Sequence, residues 1–170
     1  MINLILATAI AGASSCPSFT EDQTRALELA YAIGNNLSVE NGGILLSSIV
    51  WQEAFVGEYI VRFNPNDGRL GSYGLGHMQF TTFMHLQGYE NNYQSRTSLE
   101  PYVARFLTDD IFALIQSKNY LQTHLNRLSE PFSAVARYNG SGRQAQSYAN
   151  QIQTKYELLN SCNFFHYIYS

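Results

Sequence analysis

The stretch Ile44-Leu45-Leu46-Ser47-Ser48-Ile49-Val50-Trp51-Gln52-Glu53-Ala54-Phe55 is apolar nearly all round and places one carboxylate, Glu53, near its end. A glutamic acid in apolar surroundings has its neutral form favoured, so it can store a proton at neutral pH and deliver it to a leaving oxygen. Cleavage of a glycosidic bond requires proton delivery of that kind. Two later stretches bring polar groups and turn chemistry: Gly74-Leu75-Gly76-His77-Met78-Gln79, and Ala134-Val135-Ala136-Arg137-Tyr138-Asn139-Gly140. Glu58 is a second candidate acid, but it follows Gly57 in what reads as exposed loop, whereas Glu53 ends an apolar helix.

Other chemistries find no support. His77, His85, His124 and His166 form no H-E-x-x-H pair, no Walker A loop occurs, and the Gly-x-Gly at 74–76 lacks the preceding strand of a dinucleotide fold. No Gly-x-Ser-x-Gly elbow is present, and the spacing of Cys16 and Cys162 fits no zinc ligand set. Neither a metal nor a cofactor is expected.

The elements that must position these residues are helical. Thr20-Glu21-Asp22-Gln23 has the capping-box pattern and opens a helix over 21–33, stopped at Gly34-Asn35. The apolar run at 44–55 reads as the central helix of the core. Residues 56–73, with Gly57, Pro65, Gly68 and Gly71, read as a long connection, with a trace of strand pattern at Tyr59 to Phe63. Helical patterns follow at about 75–87, 98–107, 109–127, 131–137 and 143–160, with Ser98, Thr108 or Asp109, and Ser141 as caps. The fold class is mainly α. The aromatic tail Phe164-Phe165-His166-Tyr167-Ile168-Tyr169 is expected to dock on the core.

A chain of 170 residues with 45% hydrophobic content supports one domain with a real core. Thirteen acidic against ten basic residues, net −3, argue against a phosphate-neutralising surface, so no nucleic-acid partner is expected. Charged residues are only 14% while Tyr numbers 12 and Phe 10, a balance found in carbohydrate-handling and extracytoplasmic proteins. Residues 4–13 have the apolar length of a signal-peptide core, and Ala11-Gly12-Ala13 offers a cleavage site. No Lys or Arg precedes them, so residues 1–16 stand as a signal peptide or an N-terminal apolar segment, with 17–170 as the domain. Cys16 after small residues is also faintly like a lipoprotein box. Cys16 and Cys162 either close a disulfide around nearly the whole domain or remain two reduced core thiols.

Together, Trp51-Gln52-Glu53-Ala54, Ser72-Tyr73-Gly74-Leu75-Gly76-His77-Met78-Gln79 and Ala136-Arg137-Tyr138-Asn139-Gly140 resemble the motifs of the lytic transglycosylases of the soluble-lytic-transglycosylase and goose-type-lysozyme group. In that family a helix ends in Glu-Ser, a loop leads to Gly-Leu-Met-Gln, and a Tyr-Asn-x-Gly follows. Ser147-Tyr148-Ala149-Asn150-Gln151-Ile152 with Tyr156 looks like the family's next helix, so the resemblance covers about residues 44–158. Here Ala54 stands for the usual Ser, His77-Met78-Gln79 for Leu-Met-Gln, and the span from Glu53 to Gln79 is longer than usual. Glu58 lies nearer the family's spacing and precedes Phe63-Asn64-Pro65, which resembles the family's Phe-Asn-Pro.

The resemblance implies a single lysozyme-like domain of about seven helices with a long loop after the catalytic helix. It implies Glu53 as the acid, with the Tyr138 hydroxyl orienting it and Asn139 near the sugar. Gln79 would form one wall of the groove, Ser72 and Tyr73 would bind N-acetyl or backbone groups of the glycan, and Gly74, His77 and Met78 would line the site. Phe55, Tyr73, Phe80 and Tyr138 are candidates to pack on sugar faces. The implied reaction cleaves the bond between N-acetylmuramic acid and N-acetylglucosamine in peptidoglycan and leaves a 1,6-anhydro end, one Glu acting as acid and then base. Two alternatives stand: a muramidase using a second acid such as Asp67, and an inactive glycan-binding or assembly module. The expected setting is periplasmic or extracytoplasmic beside a secretion apparatus, or a phage virion, with the protein a monomer.

Overall fold

The computed structural model describes residues 15–63, 70–90 and 93–168. Among them the chain forms eight helices and one small sheet, and so is mainly helical. Helix α1 (Glu21–Gly34) starts as the capping box requires: the Thr20 hydroxyl accepts from the Gln23 amide at 3.3 Å, and the Gln23 side chain accepts from the Thr20 amide at 3.0 Å. Helix α2 (Gly42–Ala54) is buried from Gly42 through Val50 and is the axis of the core. Its interior serines satisfy themselves locally, Ser47 donating to the Gly43 and Leu27 carbonyls and Ser48 to that of Ile44.

After α2 the chain enters the sheet. Strand β1 (Val61–Phe63) pairs antiparallel with β2 (Leu70–Tyr73), which pairs antiparallel with β3 (Met78–Gln79). The expected long loop therefore holds strands, and the helix expected from residue 75 begins only at Phe80. Ser72 faces Gln79 and Tyr73 faces Met78, so Gly74–His77 is a four-residue hairpin loop. The apolar spacing of Leu75, Met78 and Phe83 imitates a helix. Positive φ at Gly74 (72°) and His77 (44°) forbids one.

Helix α3 (Phe80–Leu86), α4 (Tyr93–Thr108), α5 (Asp110–Leu125), α6 (Pro131–Asn139), α7 (Gly142–Ser161) and α8 (Phe164–Ile168) complete the fold. Asp109 caps α5 by accepting from the Phe112 amide, and Glu130 caps α6 through the Phe132 and Ser133 amides. Ser98 lies inside α4 rather than at its start, while Ser141 occupies the cap position of α7 without a side-chain bond.

Three apolar clusters result. The largest joins α2 to α1, α5, α6 and α7 through Leu46, Ile49, Leu114, Val135 and Ile152. An aromatic cluster under the sheet gathers Tyr73, Met78, Phe83, Phe106 and Phe112. The third ties the chain ends: Phe164 and Phe165 are buried against Phe19, Tyr31 and Leu27, and Cys16 is bonded to Cys162. Of the aromatic tail, Phe164 and Phe165 dock on the core as expected, and Tyr169 lies outside the described residues. Bonded to Cys162, the Cys16 sulfur is not free to carry a lipid. Of the proposed signal segment, residues 1–14 lie outside the described residues. Among the described residues no helix is long and apolar enough to cross a membrane.

Candidate active site

Helix α2 ends abruptly just past Glu53. Phe55, Val56 and Gly57 all take positive φ, at 45°, 59° and 92°, and the amides of Phe55 and Val56 both turn back to the Val50 carbonyl. Left-handed backbone is unfavourable for a bulky residue and more so for a β-branched one, costing of order 1–3 kcal/mol each. That cost is borne where the chain must double back, and it sets the Tyr59 carbonyl over the hairpin loop of β2 and β3. His77, also left-handed, closes the contact: its Nε2 lies 2.5 Å from the Tyr59 oxygen.

Gly76 holds the other side. The Tyr138 hydroxyl, from α6, donates to the Gly76 carbonyl at 2.7 Å. A Cβ at residue 76 would stand 2.0 Å from the Ser117 Oγ of α5, so the loop reaches this depth only with glycine. One step earlier, Gly74 abuts Ala113 and the Phe106 carbonyl, and its amide donates to the Ile60 carbonyl at 2.8 Å.

Between the helical cluster and the sheet these contacts leave a cleft of about 170 Å³. Glu53, Ser72, His77, Met78, Gln79, Tyr138 and Asn139 line it, so three stretches far apart in sequence converge there. Arg62 of β1, Thr82 of α3 and Tyr120 of α5 also line it. Their chemistry is unremarkable in sequence, and only the pairing of β1 with β2 brings Arg62 to the cleft. The Glu53 side chain is 12% exposed, and its Oε2 lies 3.4 Å from the His77 Nδ1.

Several expectations are corrected. Tyr73 and Gly74 do not line the cleft: Tyr73 is buried in the aromatic cluster and Gly74 packs on α5 and the end of α4. The Tyr138 hydroxyl lies near Glu53, but its hydrogen bond goes to Gly76. Burial pushes the Tyr138 phenol well above its usual range, and the nearby Glu53 charge adds to the rise. Glu58 is exposed and lines a different cleft, beside α1 and the start of α5. Asp67 lies outside the described residues. Of the proposed sugar-stacking rings, Phe55 is 53% exposed, whereas Tyr73 and Tyr138 are buried.

Tyr148 of α7 was not singled out as a site residue. Its hydroxyl is buried beside Glu53. Burial, then the charges of Glu53 and Tyr138 and a hydrogen bond to the Glu53 carboxyl, raise it well above the ordinary phenol value. The available signal is its place on the inner stripe Ala145, Tyr148, Ala149, Ile152, where a buried hydroxyl needs a polar neighbour.

Chemically, the cleft offers one partly desolvated carboxyl, an imidazole against it, and amide and hydroxyl groups on its walls. Among the described residues no group of His, Cys, Asp and Glu could hold a metal ion. Set against known protein families, curated proteins and solved structures, this chain has no match.

Proposed function

We propose that the protein is a peptidoglycan lytic transglycosylase with Glu53 as its single acid and base. The observation that carries this reading is the convergence on one small cleft of a nearly buried carboxyl with Gln79, Asn139 and Ser72. Glu53 is the one carboxylate among the described residues lining that cleft. Conventional glycosidases divide the work between two carboxylates, whereas a single group can serve in turn as acid and base when the substrate supplies the nucleophile.

In the proposed reaction Glu53 protonates the oxygen joining N-acetylmuramic acid to N-acetylglucosamine as the bond from C1 to that oxygen breaks. The substrate's own N-acetyl carbonyl stabilises the positive charge forming at C1. The C6 hydroxyl then attacks C1, its proton passes to the Glu53 carboxylate, and a 1,6-anhydro end results without water being consumed. Gln79 and Asn139 suit this substrate because amide side chains both donate to and accept from acetamido and hydroxyl groups. The disulfide between Cys16 and Cys162 supports an extracytoplasmic setting, periplasmic or virion-associated, where thiols oxidise. The reading includes a monomer acting on glycan strands beside a secretion apparatus or in a virion.

The test is mass spectrometry of soluble products after incubating the wild type and Glu53→Gln with peptidoglycan sacculi. Anhydromuropeptides from the wild type alone are expected. Reducing ends would make it a muramidase. Glycan binding with no products from either protein would make it a binding module.

A further inference from the structure

His77 is set against Glu53 rather than toward the open cleft, and its side chain is only 6% exposed. Its Nε2 meets the Tyr59 carbonyl oxygen at 2.5 Å. A carbonyl oxygen only accepts, so Nε2 carries the hydrogen, and a neutral ring in that tautomer presents a bare lone pair at Nδ1. Nδ1 is buried, has no hydrogen-bond partner among the described residues, and lies 3.4 Å from Glu53 Oε2. An ionised carboxylate facing that lone pair is repelled. One proton between the two atoms removes the repulsion, whether it resides on the carboxyl or on the imidazole. The gap exceeds a formed hydrogen bond by a few tenths of an ångström, the looseness expected of a catalytic contact before substrate arrives.

We infer that His77 is a positioning residue that shares the catalytic proton with Glu53, the fixed Nε2–H bond to Tyr59 aiming its Nδ1 lone pair at Oε2. The inference rests on Glu53 being the acid of the reaction above. As the C1–oxygen bond breaks, the shared proton leaves through Glu53 to the departing oxygen. As C6–O bonds to C1, the C6 hydroxyl proton returns to the same pair, so the proton count closes. The other titratable groups around the pair are Tyr120 of α5, Tyr138 of α6, Tyr148 of α7 and Arg62 of β1. Burial raises all three phenols, keeping them neutral. The carboxyl and imidazole that face each other at 3.4 Å are therefore the pair left to exchange the proton.

Two interacting groups that must hold one proton between them give a bell-shaped pH profile. His77→Asn tests this, since Asn tolerates left-handed backbone and places near the Nδ1 position an amide that does not titrate. On sacculi, His77→Asn should lower kcat about tenfold or more, leave KM within about twofold, and lose the low-pH limb of the profile. A bell unchanged in shape, whatever its height, would overturn the proposal. A second measurement needs neither activity nor a folded His77 variant: nitrogen-15 spectra of the His77 ring across pH, in the wild type and in Glu53→Gln. Nε2 should stay protonated throughout, and the pH response of Nδ1 should be displaced by the substitution. Superimposable responses would overturn the pairing. A displaced response in a protein that cleaves no sacculi would sustain the pairing and overturn the proposed reaction instead.

Discussion

Glu53 and Glu58 are five residues apart and open onto different clefts. The Glu58 cleft is the larger, about 1180 Å³ against about 170 Å³. It gathers Asp22, Glu28, Glu58, Asp109 and Asp110 with Arg25, and most of these side chains are exposed. Carboxylates placed in that way are solvated and screened by salt, and water serves their charges as well as the protein does. In the smaller cleft a single carboxyl is wedged among a histidine and buried tyrosines, with amides on the rim. Desolvation and convergence, rather than room, separate a site able to do chemistry from a groove that is merely open. The strained turn Phe55-Val56-Gly57 separates the two environments within one segment.

The largest expected effect divides the clefts directly. Glu53→Gln keeps the shape of the carboxyl and removes its proton chemistry, so lytic activity should fall about 10²–10⁴-fold with the fold retained. Glu58→Gln should leave activity within about twofold. Turbidity loss of a sacculus suspension, with circular dichroism as the control for folding, measures both. Near-normal activity in the first variant and loss in the second would invert the comparison.

The next effect concerns how the smaller cleft is closed. Gly76→Ala places a methyl against Ser117 Oγ and Cβ, 2.0 and 2.6 Å away, so Ser117 or the hairpin loop must move. Overpacking of this kind costs about 1–3 kcal/mol, and the displaced His77 and Gln79 should cost activity as well. Adding Ser117→Gly should recover part of both losses. Denaturant melts and turbidity assays of the single and double variants would show it. Activity lost with stability intact and no recovery would mean that Gly76 serves something other than this close approach.

How much of this was legible in the sequence follows from what each feature depends on. Helices α1, α2, α5, α6 and α7 were read within a few residues, because capping at Thr20 and Asp109 and apolar periodicity act locally. Glu53 was legible for the same reason, as the carboxylate that ends an apolar helix. The hairpin at 74–77 was not, since the spacing of Leu75, Met78 and Phe83 suits either element. What decides it is tertiary: the Gly74 and Gly76 contacts with α5, made with residues some 40 positions away in sequence. Arg62 and Tyr148 were missed on similar grounds, one reaching the cleft by strand pairing and the other by the packing of α7 on α2. The burial of Tyr73 was misread because its neighbour Ser72 does line the cleft, and alternation along β2 sends the two side chains to opposite faces.

Smaller effects come from the two tyrosines that flank Glu53. Tyr138→Phe leaves the buried Gly76 carbonyl without its donor and should cost about 1–3 kcal/mol, while Tyr148→Phe removes a buried hydroxyl beside Glu53 and should cost less, about 1 kcal/mol or below. Their pH behaviour has a definite sign. Both phenols are raised in the folded chain above the unfolded value near 10.0, so the folded state keeps protons that the unfolded state gives up. Stability should be complete below about pH 10 and decline as pH rises beyond it, with a shallower decline in each Phe variant. Alkaline unfolding of both variants that superimposes on the wild type would remove the buried phenols from the account.

The smallest effect tests the open cleft by its own chemistry. Asp109 lies in its wall and caps α5, accepting from the Phe112 amide at 2.9 Å and from Arg105 Nε at 3.2 Å. The hydrogen bond from the Phe112 amide, with help from Arg105, holds its carboxyl below the ordinary 3.8. A depressed folded value contributes stability that is present above the unfolded value and lost as pH falls through the folded one. Asp109→Asn preserves the capping oxygen and removes the ionisation. Thermal melts should therefore agree with the wild type under acid conditions and fall slightly short of it near neutrality. Lytic activity at neutral pH should not change, because Glu53 lines the other cleft. A folded Asp109→Asn protein with impaired cleavage would join the two clefts functionally, and the contrast between a solvated groove and a desolvated site would then have to yield to one continuous substrate path around the Phe55-Val56-Gly57 turn.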